Sequence, residues 1–325
     1  MASSGSWDFG QTATQLIQAV YEDLGVVSPG VSPVASLSTL ALDRLNKIVK
    51  QHQGVSDGMG LKVHTRQFVT LIFAKGQQSY LIGPNTGDAR ASTQVGRTTI
   101  SADEAIGQTV ISITSNTDTT SYPGTTITMT SGDSVGIELN DGTIQWSTIS
   151  GTPASTMTIG NALTVASSAG RHIYWFTNRA QRFPAIEAAV IRDVNLRDTP
   201  LDIYRTVQEY QYGVSDKYAD STPTRLLVEP LLTQTRVTFD AQPNDVTKTV
   251  VLTVFYPAED YDAAANDIAF PQEALRWLHW ELAFALSPSV GRWTPTMDQN
   301  RKEATALYGA LNPEMSVMYF ETGGV

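Results

Sequence analysis

Cysteine is absent from all 325 residues, which excludes disulfide staples, a thiolate nucleophile and cysteine-ligated zinc. No run of about eighteen apolar residues occurs, so no segment is expected to cross a membrane as a helix. Basic residues are in short supply: 22 Lys and Arg stand against 32 Asp and Glu, a net charge of −10. A surface built to grip nucleic acid neutralises phosphates, and DNA carries one negative charge per ~1.7 Å of its axis. An acidic chain suits instead a wall along which DNA slides, because like charges repel across roughly 8–10 Å at ordinary salt. The four histidines, His52, His64, His172 and His279, are scattered, and none stands in a paired-ligand spacing. The start, Met1 to Ser6, lacks the basic and apolar stretches of a signal peptide. These absences set the expectation of a protein made in the cytoplasm, with no membrane contact, no cofactor, no metal and no catalytic residue.

What remains is ordinary globular material, with 41% hydrophobic and 17% charged residues, enough for a sizeable core. Leu16, Ile17, Val20, Tyr21 and Leu24 recur at one-turn spacing and Gly25 follows as a C-terminal cap. Ser32 and Pro33 signal the start of a second helix, whose buried stripe is Leu37, Leu40, Ala41, Leu45, Ile48 and Val49. The short link between them predicts an antiparallel helical hairpin. From residue 61 the period becomes strand-like. Arg66–Phe73 and Gln77–Ile82, separated by Ala74-Lys75-Gly76, read as a β-hairpin.

Residues 97–171 shift to Thr, Ser, Gly and Ile with little charge. Short strands are expected at Thr109–Thr114, Thr125–Thr130, Val135–Leu139, Thr143–Ile149 and Thr156–Ile159, with Asn140-Asp141-Gly142 as a hairpin turn. The expectation is an inserted small β barrel or sandwich. Strands resume at His172–Thr177, Ala185–Arg192, Leu201–Tyr204, Thr224–Glu229, Arg236–Asp240 and Lys248–Tyr256. Pro271 then opens a helix that Pro288 should stop, and Thr294-Pro295 opens a last one.

The Pro271 helix is apolar around much of its circumference. Leu275, Leu278, Leu282 and Leu286 make one stripe; Trp277, Trp280 and Phe284 make a second. Such a helix must be covered on more than one side, either within its own chain or by a neighbour. The fold class is therefore α+β: a helical hairpin and C-terminal helices packed with an antiparallel β middle, plus the insert. The expected domains are 1–96 with 172–325, discontinuous, and 97–171.

Motifs for chemistry are weak. Gly54-Val55-Ser56-Asp57-Gly58 matches a nucleophile elbow, but it follows a helix and precedes a strand, the reverse of what that motif needs. Asp103-Glu104, Glu259-Asp260 and Asp262 read as loop charges, although a carboxylate pair for glycan hydrolysis needs only to meet in space. Arg171, Arg179 and Arg182 near Tyr174, Trp175 and Phe176 are the nearest approach to a basic-aromatic face. Strand alternation puts Tyr174 and Phe176 together, which reads better as core.

The order of segments carries more. Leu16-Ile17-Gln18-Ala19-Val20-Tyr21-Glu22-Asp23-Leu24-Gly25-Val26 followed by Leu42–Ile48 resembles the start of the head-to-tail adaptor, or packaged-DNA stabilisation, proteins of P22-like tailed phages. Gly76–Pro84, then Pro200–Ile203 with Glu209-Tyr210, then Phe270–Glu273 leading to Leu282-Ala283 and Ser287-Pro288, continue that family's order. The resemblance spans roughly residues 11–90 and 178–312. Two features depart from it: compact members lack the 97–171 insert, and Ala274 stands where an aromatic often follows. The resemblance implies a structural connector in the virion, a ring, dodecameric in the family, below the portal at the head-tail junction. It would extend the DNA channel, help retain packaged DNA without sequence-specific binding, and dock a tail nozzle or other tail protein. Its partners would be the portal, tail proteins and further copies of itself. Trp277, Trp280 and Phe284, with Met315, Met318, Tyr319 and Phe320 beyond Pro313, are the expected contact residues. A virion-associated glycan hydrolase, or a receptor-binding or decoration protein with a β accessory module, is the alternative.

Overall fold

The computed structural model describes residues 10–52, 64–84, 88–121, 125–216, 218–257, 260–263, 268 and 272–311. The Gly54–Gly58 run, Pro271, Met315, Met318, Tyr319 and Phe320 lie outside them. The helices are α1 (Ala13–Asp23), α2 (Ala35–His52), α3 (Val207–Gly213), α4 (Gln272–Val290) and α5 (Pro295–Leu311). The strands of the first half are β1 (His64–Ile72), β2 (Ser79–Ile82), β3 (Arg90–Ser92), β4 (Gly96–Thr99), β5 (Val110–Ser112), β6 (Thr117–Asp118), β7 (Ile127–Thr128), β8 (Ser134–Glu138), β9 (Ile144–Ser150) and β10 (Thr156–Ile159). Those of the second are β11 (His172–Phe176), β12 (Ala185–Arg192), β13 (Asp198–Tyr204), β14 (Arg225–Pro230), β15 (Thr235–Phe239) and β16 (Thr249–Pro257). The chain is thus mixed α+β. It divides into two compact units, residues 1–65 with 257–325 and residues 66–256.

The first unit is helical and discontinuous in sequence. Thr12 caps α1, its hydroxyl accepting from the Gln15 N–H while the Gln15 side chain accepts from the Thr12 N–H, a reciprocal box that satisfies two otherwise orphaned donors. Gly25 leaves the helix at φ +64°, a left-handed conformation that a Cβ would strain. The Arg292 guanidinium donates to the Leu24 and Gly25 carbonyls, a cation placed at a helix C-terminus where the dipole favours it. α2 begins at Ala35, later than the Ser32-Pro33 signal suggested, because Val34 supplies the first carbonyl, accepting from Leu37 and Ser38. Asn46 on α2 and the Tyr261 backbone exchange two hydrogen bonds of 2.9 Å, which fixes the segment leading to α4.

α4 runs two residues past Pro288 instead of stopping before it. Proline lacks the N–H that would reach the Phe284 carbonyl; the Ser287 hydroxyl donates to that carbonyl instead, at 2.8 Å. α4 packs against α1, α2 and α5. Ala13, Leu16, Ile17, Val20, Tyr21, Leu45, Val49, Leu278, Leu282 and Leu286 belong to one buried cluster, whose buried members all lie within 13–49 and 261–308.

The second unit is built from two β barrels. In the first, eight strands run in the order β2-β15-β14-β13-β12-β16-β1-β3. The ends meet where the Ala89 N–H, just before β3, donates to the Leu81 carbonyl of β2. Each strand sends apolar side chains to one interior cluster, among them Leu71, Tyr80, Ala91, Ile191, Leu201, Leu226, Phe239 and Leu252, the alternation that a closed sheet requires. The expected hairpin of 66–73 with 77–82 does not form. Ala74–Gly76 does turn, with the Gln77 N–H on the Ala74 carbonyl, but β1 pairs with β3 and β2 with β15. The Tyr80 hydroxyl folds back on the Ala74 backbone, and its ring packs edge-on against Phe239 at 5.7 Å. Nor is the sheet wholly antiparallel. β13 and β14 are parallel, which needs a crossover, and α3 lies in it.

In the second barrel the order is β4-β11-β8-β9-β10-β5. A bridge between Ile100 and Ile113 closes it, with Ser101 N–H on the Ser112 carbonyl and Thr114 N–H on the Thr99 carbonyl, both 3.0 Å. The insert together with β11 is therefore barrel-like, filled by Ile111, Val135, Ile137, Ile149, Met157, Ile173 and Trp175. Its β8–β9 hairpin turns at Asn140-Asp141-Gly142 as the sequence suggests. Asp141 accepts from the Thr143 N–H and hydroxyl, and Gly142 takes φ +78°, as a tight hairpin turn demands. β11 is buried on both faces. Ile173 and Trp175 fill this barrel, while Tyr174 and Phe176 pack with Ile72 of β1 and Val95.

Candidate functional site

The second apolar stripe of α4 is the site the sequence selects, and it faces α5. Trp277 is 1% exposed. Its indole stacks on Tyr308 of α5, centroids 5.4 Å apart and planes 19° from parallel. That half of the stripe is filled from within the chain, so Trp277 is core and not a free contact surface. Trp280 is half-buried, with His279 edge-on to it at 5.1 Å. Phe284, 42% exposed, is flanked rather than covered. Trp293 meets it edge-on at 5.3 Å, and the Arg301 guanidinium sits 3.9 Å above its ring. Arg301 also donates from Nε to Glu281 at 2.9 Å, one turn before Phe284 on α4.

A single α4 face thus holds Trp277, Glu281 and Phe284, answered from α5 by Tyr308 and Arg301. The sequence pattern found the α4 half. It missed the α5 half, although Met297, Arg301, Ala304 and Tyr308 keep the helical spacing that could have revealed it. It also missed Asp23, whose carboxylate lies 2.8 Å from His279 Nε2 across 256 residues of sequence. Burial holds the His279 imidazole below the ordinary histidine range, against the opposing pull of Asp23. His279 is therefore a packed, hydrogen-bonded residue.

The other candidates resolve as structure. Glu104 is not a loop charge: it is buried in the smaller barrel and accepts from the Ser112 N–H. Asp103 accepts from the Ala169 N–H, and Asp260 pairs with Lys50. Arg171 is tied to the buried Glu138, which also takes the His172 N–H, and Arg182 donates to the Leu231 carbonyl. Tyr174, Trp175 and Phe176 are all buried, so no ring there is open to a nucleotide base. Burial would raise the Asp118 carboxyl, but hydrogen bonds from Ser121, Thr120 and Arg97 outweigh it and lower the pKa. That is an Asx-type turn anchor.

Among the described residues no group of three or more His, Asp or Glu could hold a metal ion, and no helix is long and apolar enough to cross a membrane. A pocket lined by Thr70, Val95, Arg97, Ser121, Arg192 and Leu196 has a volume of about 20 Å³, room for a water and little else. Compared with known proteins, the chain matches no family model and has no significant match among curated sequences.

Proposed function

We propose that the chain is a structural head-to-tail adaptor of a tailed phage, a subunit of a portal-docked ring. In this reading α1 and α2 form an antiparallel hairpin that, with α4 and α5, is the framework for portal and subunit contacts. The ring extends the DNA channel and presents a surface for a tail protein. The net charge of −10 keeps DNA from adhering to the channel.

One observation supports this reading above others. The first and last of the segments that resemble adaptor proteins come from opposite ends of the chain, yet Leu16, Leu24, Leu45, Ile48, Leu282 and Ala283 share one hydrophobic cluster, while the segments at 76–84 and 200–210 belong to the β unit. Motifs that are weak singly and far apart in sequence gain weight when they build one unit.

The test is assembly. Purified chain mixed with portal should form a ring-on-ring complex by size and electron microscopy, and particles lacking the chain should show full heads that leak DNA and carry no tail. A chain that never binds portal, yet cleaves peptidoglycan, would make the hydrolase alternative the correct one.

A further inference from the structure

The pocket of about 20 Å³ lies where the two barrels of the β unit meet. The larger barrel lines it with Thr70 of β1, Arg192 of β12, and Thr249 and Val251 of β16; Arg97 of β4 comes from the smaller one. Strand alternation sets the larger barrel's contributions on its outer face, because their neighbours Val69, Leu71, Ile191, Val250 and Leu252 fill its interior.

The charges around this pocket are unevenly matched. Arg192 is neutralised by Asp198, which accepts two of its N–H groups at 2.8 Å. Arg97 is not. Among the described residues no carboxylate pairs with its guanidinium, whose one hydrogen bond is 3.3 Å long, to the Val194 carbonyl. Asp118 is bonded to Ser121 on the same wall, but the Thr120 and Ser121 hydroxyls and the backbone N–H groups of Arg97, Thr120 and Ser121 already fill it. Thr249 is 2% exposed, and its hydroxyl has no hydrogen-bond partner among the described residues. A half-buried cation without a counter-charge and a buried hydroxyl without a partner are each costly, and both fall at one pocket. Leu196 adds a third oddity. It walls the pocket at φ +62°, in a turn where Asp193 accepts from the Asn195 and Arg197 N–H groups. Glycine would take that conformation freely; leucine takes it under strain and supplies an apolar wall.

A water here would need acceptors for its own protons as well as donors, and Val95, Leu196 and Val251 offer none. A halide ion needs donors only, is polarisable enough to lie against apolar groups, and is little larger than a water. We infer that the pocket binds a single halide ion, chloride in ordinary buffers, between the Arg97 guanidinium and the Thr249 hydroxyl. The ion gives Arg97 its counter-charge and ties β4 of the smaller barrel to β16 of the larger.

The test holds ionic strength constant and changes only the anion. As sodium gluconate is replaced by sodium chloride, the urea midpoint of the full chain should rise relative to that of Arg97→Gln, since a ligand of the folded state alone stabilises it. Gluconate is too large for the pocket. The chloride concentration giving half the rise should increase about tenfold or more in Arg97→Gln, which loses a charged hydrogen-bond donor. Thr249→Val, which keeps the shape and removes the hydroxyl, should raise it by about threefold or more, and it carries the test if Arg97→Gln fails to fold. Crystals of the full chain soaked in sodium bromide should show an anomalous peak between Arg97 and Thr249. A pocket that holds only water in bromide, or the same anion dependence in the chain and both variants, would overturn the inference. The adaptor reading is not involved: portal binding could fail with the halide in place, and the halide could be absent from a portal-bound ring.

Discussion

Trp277 and Phe284 lie two turns apart on one helix, yet burial sorts them into different roles. Trp277→Ala removes a fully packed indole and its stacking partner's support, so it should cost about 3–5 kcal/mol, read as a lowered urea midpoint. Phe284→Ala removes a ring that water already reaches and should cost about 1 kcal/mol or less. If both variants keep the wild-type midpoint, the indole is outside the core. Gly96 makes a different demand. A Cβ there would stand 2.3 Å from the Trp175 ring, inside any real contact distance, so Gly96→Ala should destabilise the smaller barrel by about 1–3 kcal/mol through overpacking. Near-ultraviolet circular dichroism of the tryptophans would report it.

Two histidines give the protein a pH signature. His172 and His279 are both held below the ordinary value, burial being the first cause in each. A base whose folded pKa is lowered stays neutral in the fold while the unfolded chain takes up a proton. Stability is therefore full above the unfolded value near 6.5 and falls as pH drops below it. Urea midpoints should decline from pH 7 to pH 5, and His279→Gln should flatten part of that slope. An unchanged slope in the variant would remove His279 from the account.

At the scale of elements, the smaller barrel is not a detachable ornament. β11 carries Ile173 and Trp175 into one barrel and Tyr174 and Phe176 toward Ile72 and Val95, and Lys75 reaches the Asp141 carbonyl in the same unit. Deleting residues 97–171 removes β8 and β9 and leaves the Ile173 and Trp175 face of β11 without its cover. The truncated chain should lose the cooperative unfolding of its β unit; a sharp transition at the wild-type midpoint would show the barrels to be independent.

Strand positions were legible wherever β-branched runs alternated between turn residues: the ranges of β10 and β12 were anticipated to the residue. What stayed hidden was pairing. Ala74-Lys75-Gly76 signals a turn, and a turn does form, but nothing local states that Tyr80 will fold onto Ala74 and send β2 to β15. α3 was hidden because seven residues, Val207–Gly213, are too few to show a helical period. At α4 the two stripes were visible, and the cover was not. Burial pattern says that a face is covered, and only tertiary contact says by which helix.

At the scale of the whole molecule, the two units have separate cores, and the β unit is continuous in sequence. Residues 66–256 expressed alone should fold, with a strand-dominated circular dichroism spectrum and dispersed amide resonances. An aggregated or unfolded fragment would mean that the helical unit is needed for it. The converse experiment, joining residues 10–52 to 260–311 by a flexible linker, should give a helical protein, because one hydrophobic cluster already unites those segments.

The split of the helical unit across the sequence also sets a timetable for the ribosome. α1 and α2 are made first, but their packing partner α4 begins at residue 272, about 220 residues after α2 ends. At ~5–20 residues per second, Leu16, Val20, Leu45 and Val49 wait roughly 10–40 s for a partner. During that wait the chain emerging from the tunnel carries two greasy stripes and a growing pair of barrels, which makes it a client for any holdase that binds exposed leucine and valine. The order of synthesis also makes the helical unit close after the barrels are made, so a chain with a finished helical unit is one whose barrels have already been translated.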